Sequence, residues 1–83
     1  MKFIATVNIM PREELLDPQG KATVLGLKNL GLASIGNVRI GKRMRLEVDA
    51  KTQEEAEKSV KEACDKLLAN AIMEKYEFDV VKA

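Results

Sequence analysis

The sequence predicts an α+β domain of order βαββαβ, a four-stranded antiparallel sheet with two helices on one face. Three observations lead there. Residues 3–10, 37–43, 44–49 and 74–81 alternate apolar and polar side chains with the period of two that marks a strand. Residues 52–68 repeat apolar side chains at helical spacing, and residues 18–30 open with Asp-Pro, a helix start. Gly41-Lys42 falls between two of the alternating runs, where a tight turn would make them antiparallel neighbours.

In the first strand, Phe3, Ala5, Val7 and Ile9 share one face, and Lys2, Ile4, Thr6, Asn8 and Met10 share the other. Ile4 and Met10 make that second face less polar than a solvated face should be. Pro11 ends the strand, and Arg12 to Asp17 connect it to a helix over about Pro18–Leu30. Pro18 lacks an N–H and fixes its own φ, which suits the first helical position. Asp17 suits the N-cap, where a carboxylate accepts an orphan backbone N–H and faces the positive end of the helix dipole. Gly20 fits a plain helix start poorly, since Gly costs about 1 kcal/mol relative to Ala in a helix interior. Its position points to a close backbone approach. Ala22, Leu25, Gly26, Asn29 and Leu30 form one broad stripe, and Val24 and Leu27 lie on another side. A helix apolar on more than one face suggests a second contact surface; scattered exposed aliphatics are the alternative. Gly31 suits the C-cap.

Val38 and Ile40 point one way in the next alternating run, and Leu46 and Val48 point inward in the one after it. Arg39, Arg45 and Glu47 would then share the outer face, where cross-strand charges can pair. Thr52-Gln53-Glu54-Glu55 is a capping box opening the second helix, which should reach about Leu68. Its stripe is Ala56, Val60, Ala63, Cys64 and Leu67, with Cys64 a small core residue. Asn70 can end this helix in a left-handed conformation. Tyr76, Phe78 and Val80 then face inward on the last strand. This order gives the ferredoxin-like arrangement, with the first and third strands central. The outer sheet face must meet water or a partner, and Ile4, Met10 and Val81 there favour a partner.

A chain of 83 residues makes one domain with a modest core, so oligomerisation is expected. The net charge is +1, with acidic and basic residues interspersed, so nothing points to capture of nucleic acid or membrane. No apolar run approaches a membrane span, and Met1-Lys2-Phe3-Ile4 leads into a strand pattern rather than a signal peptide. Cys64 is the single cysteine, which excludes an internal disulfide framework and fits a reducing cytosol.

Histidine is absent, which removes the usual general base and the commonest transition-metal ligand. Cys64 therefore has no partner for nucleophilic catalysis. The carboxylates form no clustered pair, and no spacing supports a metal site. The glycines of Gly36-Asn37-Val38-Arg39-Ile40-Gly41-Lys42 match neither GxGxxG nor a P-loop. RNA recognition on the outer sheet face would need aromatic residues on the middle strands. That face offers Ile4, Thr6, Asn8, Arg45 and Glu47 instead. A small-molecule-sensing module of the ACT type shares the topology and stands as the alternative reading.

Leu16-Asp17-Pro18-Gln19-Gly20-Lys21-Ala22, Val38-Arg39-Ile40-Gly41-Lys42, Cys64-Asp65-Lys66-Leu67-Leu68-Ala69-Asn70 and Tyr76-Glu77-Phe78 together resemble the PurS family, the small subunit of phosphoribosylformylglycinamidine synthase. The resemblance covers almost the whole chain, as a single domain over 1–83. Ala71 departs from it where the family commonly has proline, and the turn at Leu32 to Gly36 is less acidic than the family's. The resemblance implies a non-catalytic cytoplasmic subunit of de novo purine synthesis with no cofactor of its own. It would assemble with a large synthetase subunit (PurL) that uses ATP and Mg²⁺, and with a glutaminase subunit (PurQ) that releases ammonia. It would also support ammonia transfer and self-associate as a homodimer or dimer of dimers. Asp17, Pro18, Gln19, Gly20, Arg39, Gly41 and Lys42 match the two family motifs and are expected to contact the large subunit or shape that contact. The outer sheet face around Ile4, Thr6, Arg45 and Glu47 is expected to serve self-association.

Overall fold

The strand β1, Lys2–Pro11, runs through the centre of a three-stranded antiparallel sheet of order β2-β1-β3. Its flanking strands are β2, Lys42–Asp49, and β3, Glu74–Lys82. The computed structural model describes residues 1–83. Register follows the side-chain alternation: Val7 lies opposite Met44 on β2 and Phe78 on β3, while Thr6 lies opposite Arg45 and Asp79. One face of β1 is buried in full, through Phe3, Ala5, Val7 and Ile9. The core adds Val80 from β3 and Ala56, Val60 and Cys64 from the helical layer.

That layer is α2, Gln53–Ala63, continued by a π-helical turn at Cys64–Leu68. Thr52 caps α2 as expected, accepting the Glu55 N–H at 3.1 Å. The layer follows β3 along its length. At one end Gln53 Nε2 donates to the Val80 carbonyl at 2.6 Å. At the other the Tyr76 hydroxyl donates to Asp65 Oδ1 at 2.6 Å.

The helix α1, Pro18–Asn29, does not lie on the sheet. Gly20 is its only buried residue. Its C-terminus is a Schellman turn: Gly31, at φ +83°, donates to Lys28 O, and Leu32 N–H reaches Leu27 O at 2.9 Å. Residues 32–41 then return toward the sheet without strand pairing. The result is an arm that makes the molecule 51 Å long, with a radius of gyration of 16.5 Å. A compact chain of this length would have about 12 Å.

Four expectations are corrected. The sheet of this chain has three strands, because residues 37–41 form no strand and Gly41-Lys42 makes no hairpin. Their backbone is engaged elsewhere: Ile40 N–H donates to the Asp17 carboxylate, and the Val38 carbonyl lies against Gly20. For the same reason the two helices are not both on one sheet face. Leu67 is 82% exposed rather than in the core stripe. The extra residue of the π turn rotates the helix face, so Leu68 packs on the core in its place. Asn70 is not left-handed. It makes an Asx turn instead, its Oδ1 accepting the Ile72 N–H at 3.0 Å.

Candidate functional site

The motif residues at the start of α1 and before β2 meet in space, although 16 or more positions separate them in the chain. Asp17 is buried at the N-cap. Its Oδ1 accepts the Gly20 N–H at 3.1 Å, and its Oδ2 accepts the Ile40 N–H at 2.7 Å. The bond from Ile40, then that from Gly20, holds the carboxyl below its ordinary pKa against the opposing effect of burial, with the Arg39 charge adding to the depression. Arg39 reaches across to the connection before α1. Its Nη1 donates to Leu15 O at 2.9 Å and its Nη2 to Arg12 O at 2.8 Å.

Two glycines allow this closure. A Cβ on Gly20 would run into the Val38 carbonyl oxygen. A Cβ on Gly41 would run into the Ile9 carbonyl and the Met10 sulfur. The close approach expected at Gly20 is therefore to the chain's own backbone. Asp17, Gly20, Arg39 and Gly41 form an internal clasp that fixes where α1 leaves the sheet. The other motif residues face outward. Pro18 occupies the first helical turn and is exposed, as is Gln19. Lys42 is exposed and pairs with Glu74 at 3.6 Å.

Beside the clasp lies an open cleft of about 490 Å³ between α1 and residues 36–39. Leu15, Leu16, Val24, Leu25 and Val38 supply its apolar lining, with Lys21 at its edge. Leu16 and Leu25 are 73% and 62% exposed, and Leu30 farther along α1 is 76% exposed. The double-sided apolar pattern of α1 was the sequence signal for this surface.

Ile4, Thr6, Arg45 and Glu47 do come together, on the outer sheet face. Ile4 is opposite Glu47, and Thr6 is opposite Arg45. Arg39 does not join them, since it is committed to the clasp. Charge on this face is polarised. Arg43 and Arg45 line the β2 side, and Glu77 and Asp79 line the β3 side, with Thr6 and Asn8 between them.

A third cluster escaped the sequence reading. Asp65 on the π turn accepts from the Tyr76 hydroxyl and from Lys61 Nζ at 3.1 Å. The Tyr76 bond, then that from Lys61, lowers the Asp65 pKa, and the same bond raises that of Tyr76. This cluster ties the helix end to β3. Cys64 is buried, which pushes its thiol pKa up. No three His, Cys, Asp or Glu side chains group to hold a metal ion. No helix is long and apolar enough to cross a membrane.

The PurS family model, phosphoribosylformylglycinamidine (FGAM) synthase, matches residues 4–82. Phosphoribosylformylglycinamidine synthase subunit PurS of Archaeoglobus fulgidus is 41% identical over 74 residues, 89% of this chain and 92% of that protein. The corresponding subunit of Bacillus subtilis is 39% identical over 74 residues, 89% of this chain and 87% of that protein. A chain in the structure of PurLQS from Thermotoga maritima superposes with a TM-score of 0.89 at 31% identity, over 98% of this chain and 99% of that one. These likenesses lend no support to a small-molecule-sensing module. The chain belongs to the PurS family of phosphoribosylformylglycinamidine synthase subunits.

Proposed function

We propose that this chain is the non-catalytic small subunit that holds a large synthetase subunit and a glutaminase subunit together in the cytoplasm, and so supports ammonia transfer between them in de novo purine synthesis. Membership of the PurS family carries this reading. Within it, ATP and Mg²⁺ act on the large subunit, and this chain brings no cofactor of its own. The clasp sets the direction of the arm. Pro18, Gln19 and Lys42, exposed beside it, are the contacts offered to the large subunit, while Asp17, Gly20, Arg39 and Gly41 shape that contact from within.

Self-association belongs to the same reading, as a homodimer or a dimer of dimers. The outer sheet face suits the second of these interfaces. A two-fold axis lying in the interface and parallel to β1 would set Arg43 and Arg45 of one copy over Glu77 and Asp79 of the other. The two-helix, ferredoxin-like layer is reached, in this reading, only when a second copy contributes a helix. The test is complex formation. The three chains are mixed with ATP, Mg²⁺ and glutamine and sized by light scattering. One species containing all three supports the proposal; a large subunit and glutaminase that bind each other equally well without this chain contradict it.

A further inference from the structure

The connection from the π turn to β3 is held more tightly than a surface loop needs. Asn70 organises it. Its backbone N–H donates to Glu74 Oε1 at 2.8 Å, and its Oδ1 accepts the Ile72 N–H at 3.0 Å. Its carbonyl accepts the Met73 and Glu74 N–H groups at 3.1 and 2.7 Å. Arg12, just past the end of β1, adds two bonds. Its backbone N–H reaches Met73 O at 2.9 Å, and its Nη2 reaches Ala71 O at 2.7 Å. Six hydrogen bonds therefore fix the short stretch from Asn70 to Glu74. What they hold out into water is Ile72, 85% exposed and the most exposed of the large apolar side chains. An apolar side chain on a fixed backbone has little ordering cost left when a partner covers it, which favours a strong contact.

Met73, its neighbour, lines a hollow of about 270 Å³ with Leu16, Leu15 and Pro11. Met73 and Leu16 are themselves exposed. The charges around this patch cancel. Lys42 pairs with Glu74 and Lys75 with Glu13, each at 3.6 Å. Arg12 and Glu14, in the adjoining connection, bring the total to three cations and three anions. A neutral rim around an apolar centre suits an apolar protein surface and offers nothing to draw an anion.

Position decides the partner. The patch lies at the end of the sheet, where Pro11 is opposite Glu74, so it belongs to neither sheet face. It is continuous with the motif residues, since Leu16 leads into Asp17-Pro18-Gln19 and Lys42 is paired to Glu74. We propose that the contact with the large subunit extends from Pro18, Gln19 and Lys42 over Leu16, Met73 and Ile72, with Ile72 as its apolar anchor. Arg12 is a positioning residue for this contact. Its carbonyl also accepts Arg39 Nη2 at 2.8 Å, so the loop and the clasp are tied to one residue and present one rigid surface. The inference rests on the assembly role proposed above and specifies where the large subunit is held.

The test measures binding of the full chain to the large subunit and, separately, to the glutaminase subunit, with sedimentation of each variant alone. Ile72→Asp should weaken binding to the large subunit by at least about 10-fold. Its unfolding temperature and oligomeric state should match the wild type, because the side chain lies in solvent in the single chain. Ser59→Asp adds the same charge at an exposed position of α2 and should bind as the wild type. Asn70→Ala frees the loop and should weaken binding with Ile72 still present, while Asn70→Asp keeps the accepting oxygen and should restore it. The anchor is overturned if Ile72→Asp binds the large subunit as the wild type does, or loses no more affinity than Ser59→Asp. It is equally overturned if Ile72→Asp loses only the glutaminase, or changes only the chain's own oligomeric state, or if Asn70→Ala binds unchanged. A wild-type chain that does not bind the large subunit would overturn the assembly role itself, and the anchor with it.

Discussion

Asp17 Oδ2 accepts the Ile40 backbone N–H at 2.7 Å, which joins the start of α1 to the end of the segment that returns from it. The two ends of a 22-residue excursion are thereby fixed side by side, and Arg39 and Gly20 complete the closure. The arm leaves the sheet in one direction because of this contact.

Asp17 makes the arm acid-sensitive. Its carboxyl has a lower pKa folded than unfolded, so it contributes stability that is present above the ordinary carboxylate pKa and lost as pH falls through the lowered folded value. Asp65 contributes in the same sense. Thermal unfolding measured from neutral pH downward should show stability falling below the usual carboxylate range. Asp17→Asn should be less stable at neutral pH and show a shallower acid dependence, the part due to Asp65 remaining. An unchanged pH profile in Asp17→Asn would remove the carboxylate from the account.

Gly20→Ala should destabilise by about 1–3 kcal/mol, because the new methyl meets a backbone carbonyl that can move only with the whole returning segment. Gly36 is the contrast. Nothing lies within 4 Å of its added Cβ, and its φ is not in the left-handed range. Gly36→Ala should therefore be stabilising by about 0.4–1 kcal/mol through the unfolded chain. Urea midpoints of the two variants should move in opposite directions.

Arg39→Ala should cost about 1–2 kcal/mol by freeing the carbonyls of Leu15 and Arg12. Arg39→Lys should recover little, since one ammonium does not span both oxygens as the planar guanidinium does. If the arm carries the contact, Arg39→Glu should weaken binding to the large subunit while the sheet and α2 stay folded. Circular dichroism and binding measured on the same sample separate the two effects.

The π turn gives a paired test. Leu68→Ala should cost about 1–2 kcal/mol, less than a fully buried leucine, because Leu68 packs on the core while half-buried. Leu67→Ala should stay within about 0.5 kcal/mol, since that side chain is in solvent in the isolated chain. A regular α-helix through this point would reverse the order.

Most of the sheet was legible because strict alternation leaves one choice of face. Phe3, Ala5, Val7 and Ile9 could only be the buried set of β1, and Tyr76, Phe78 and Val80 are the inward set of β3. The helix starts were legible from Asp17-Pro18 and Thr52, whose side chains cap locally. Val38 and Ile40 misled because alternation is also what an extended, unpaired segment shows. What decides between the two is the destination of the Ile40 N–H, a residue 23 positions away, and no local pattern records it. Leu67 misled because helical spacing assumes 3.6 residues per turn throughout, and the π turn breaks that count. The clasp was half legible. Gly20 announced a close approach, but that Val38 makes it is a tertiary fact.

The most direct measurement is glutamine-dependent amidine formation by the large and glutaminase subunits, with and without this chain. The account predicts turnover that appears, or rises severalfold, only when the chain is added, with none from the chain alone. Equal turnover with and without it, from partner subunits shown to be folded, would contradict the assembly role.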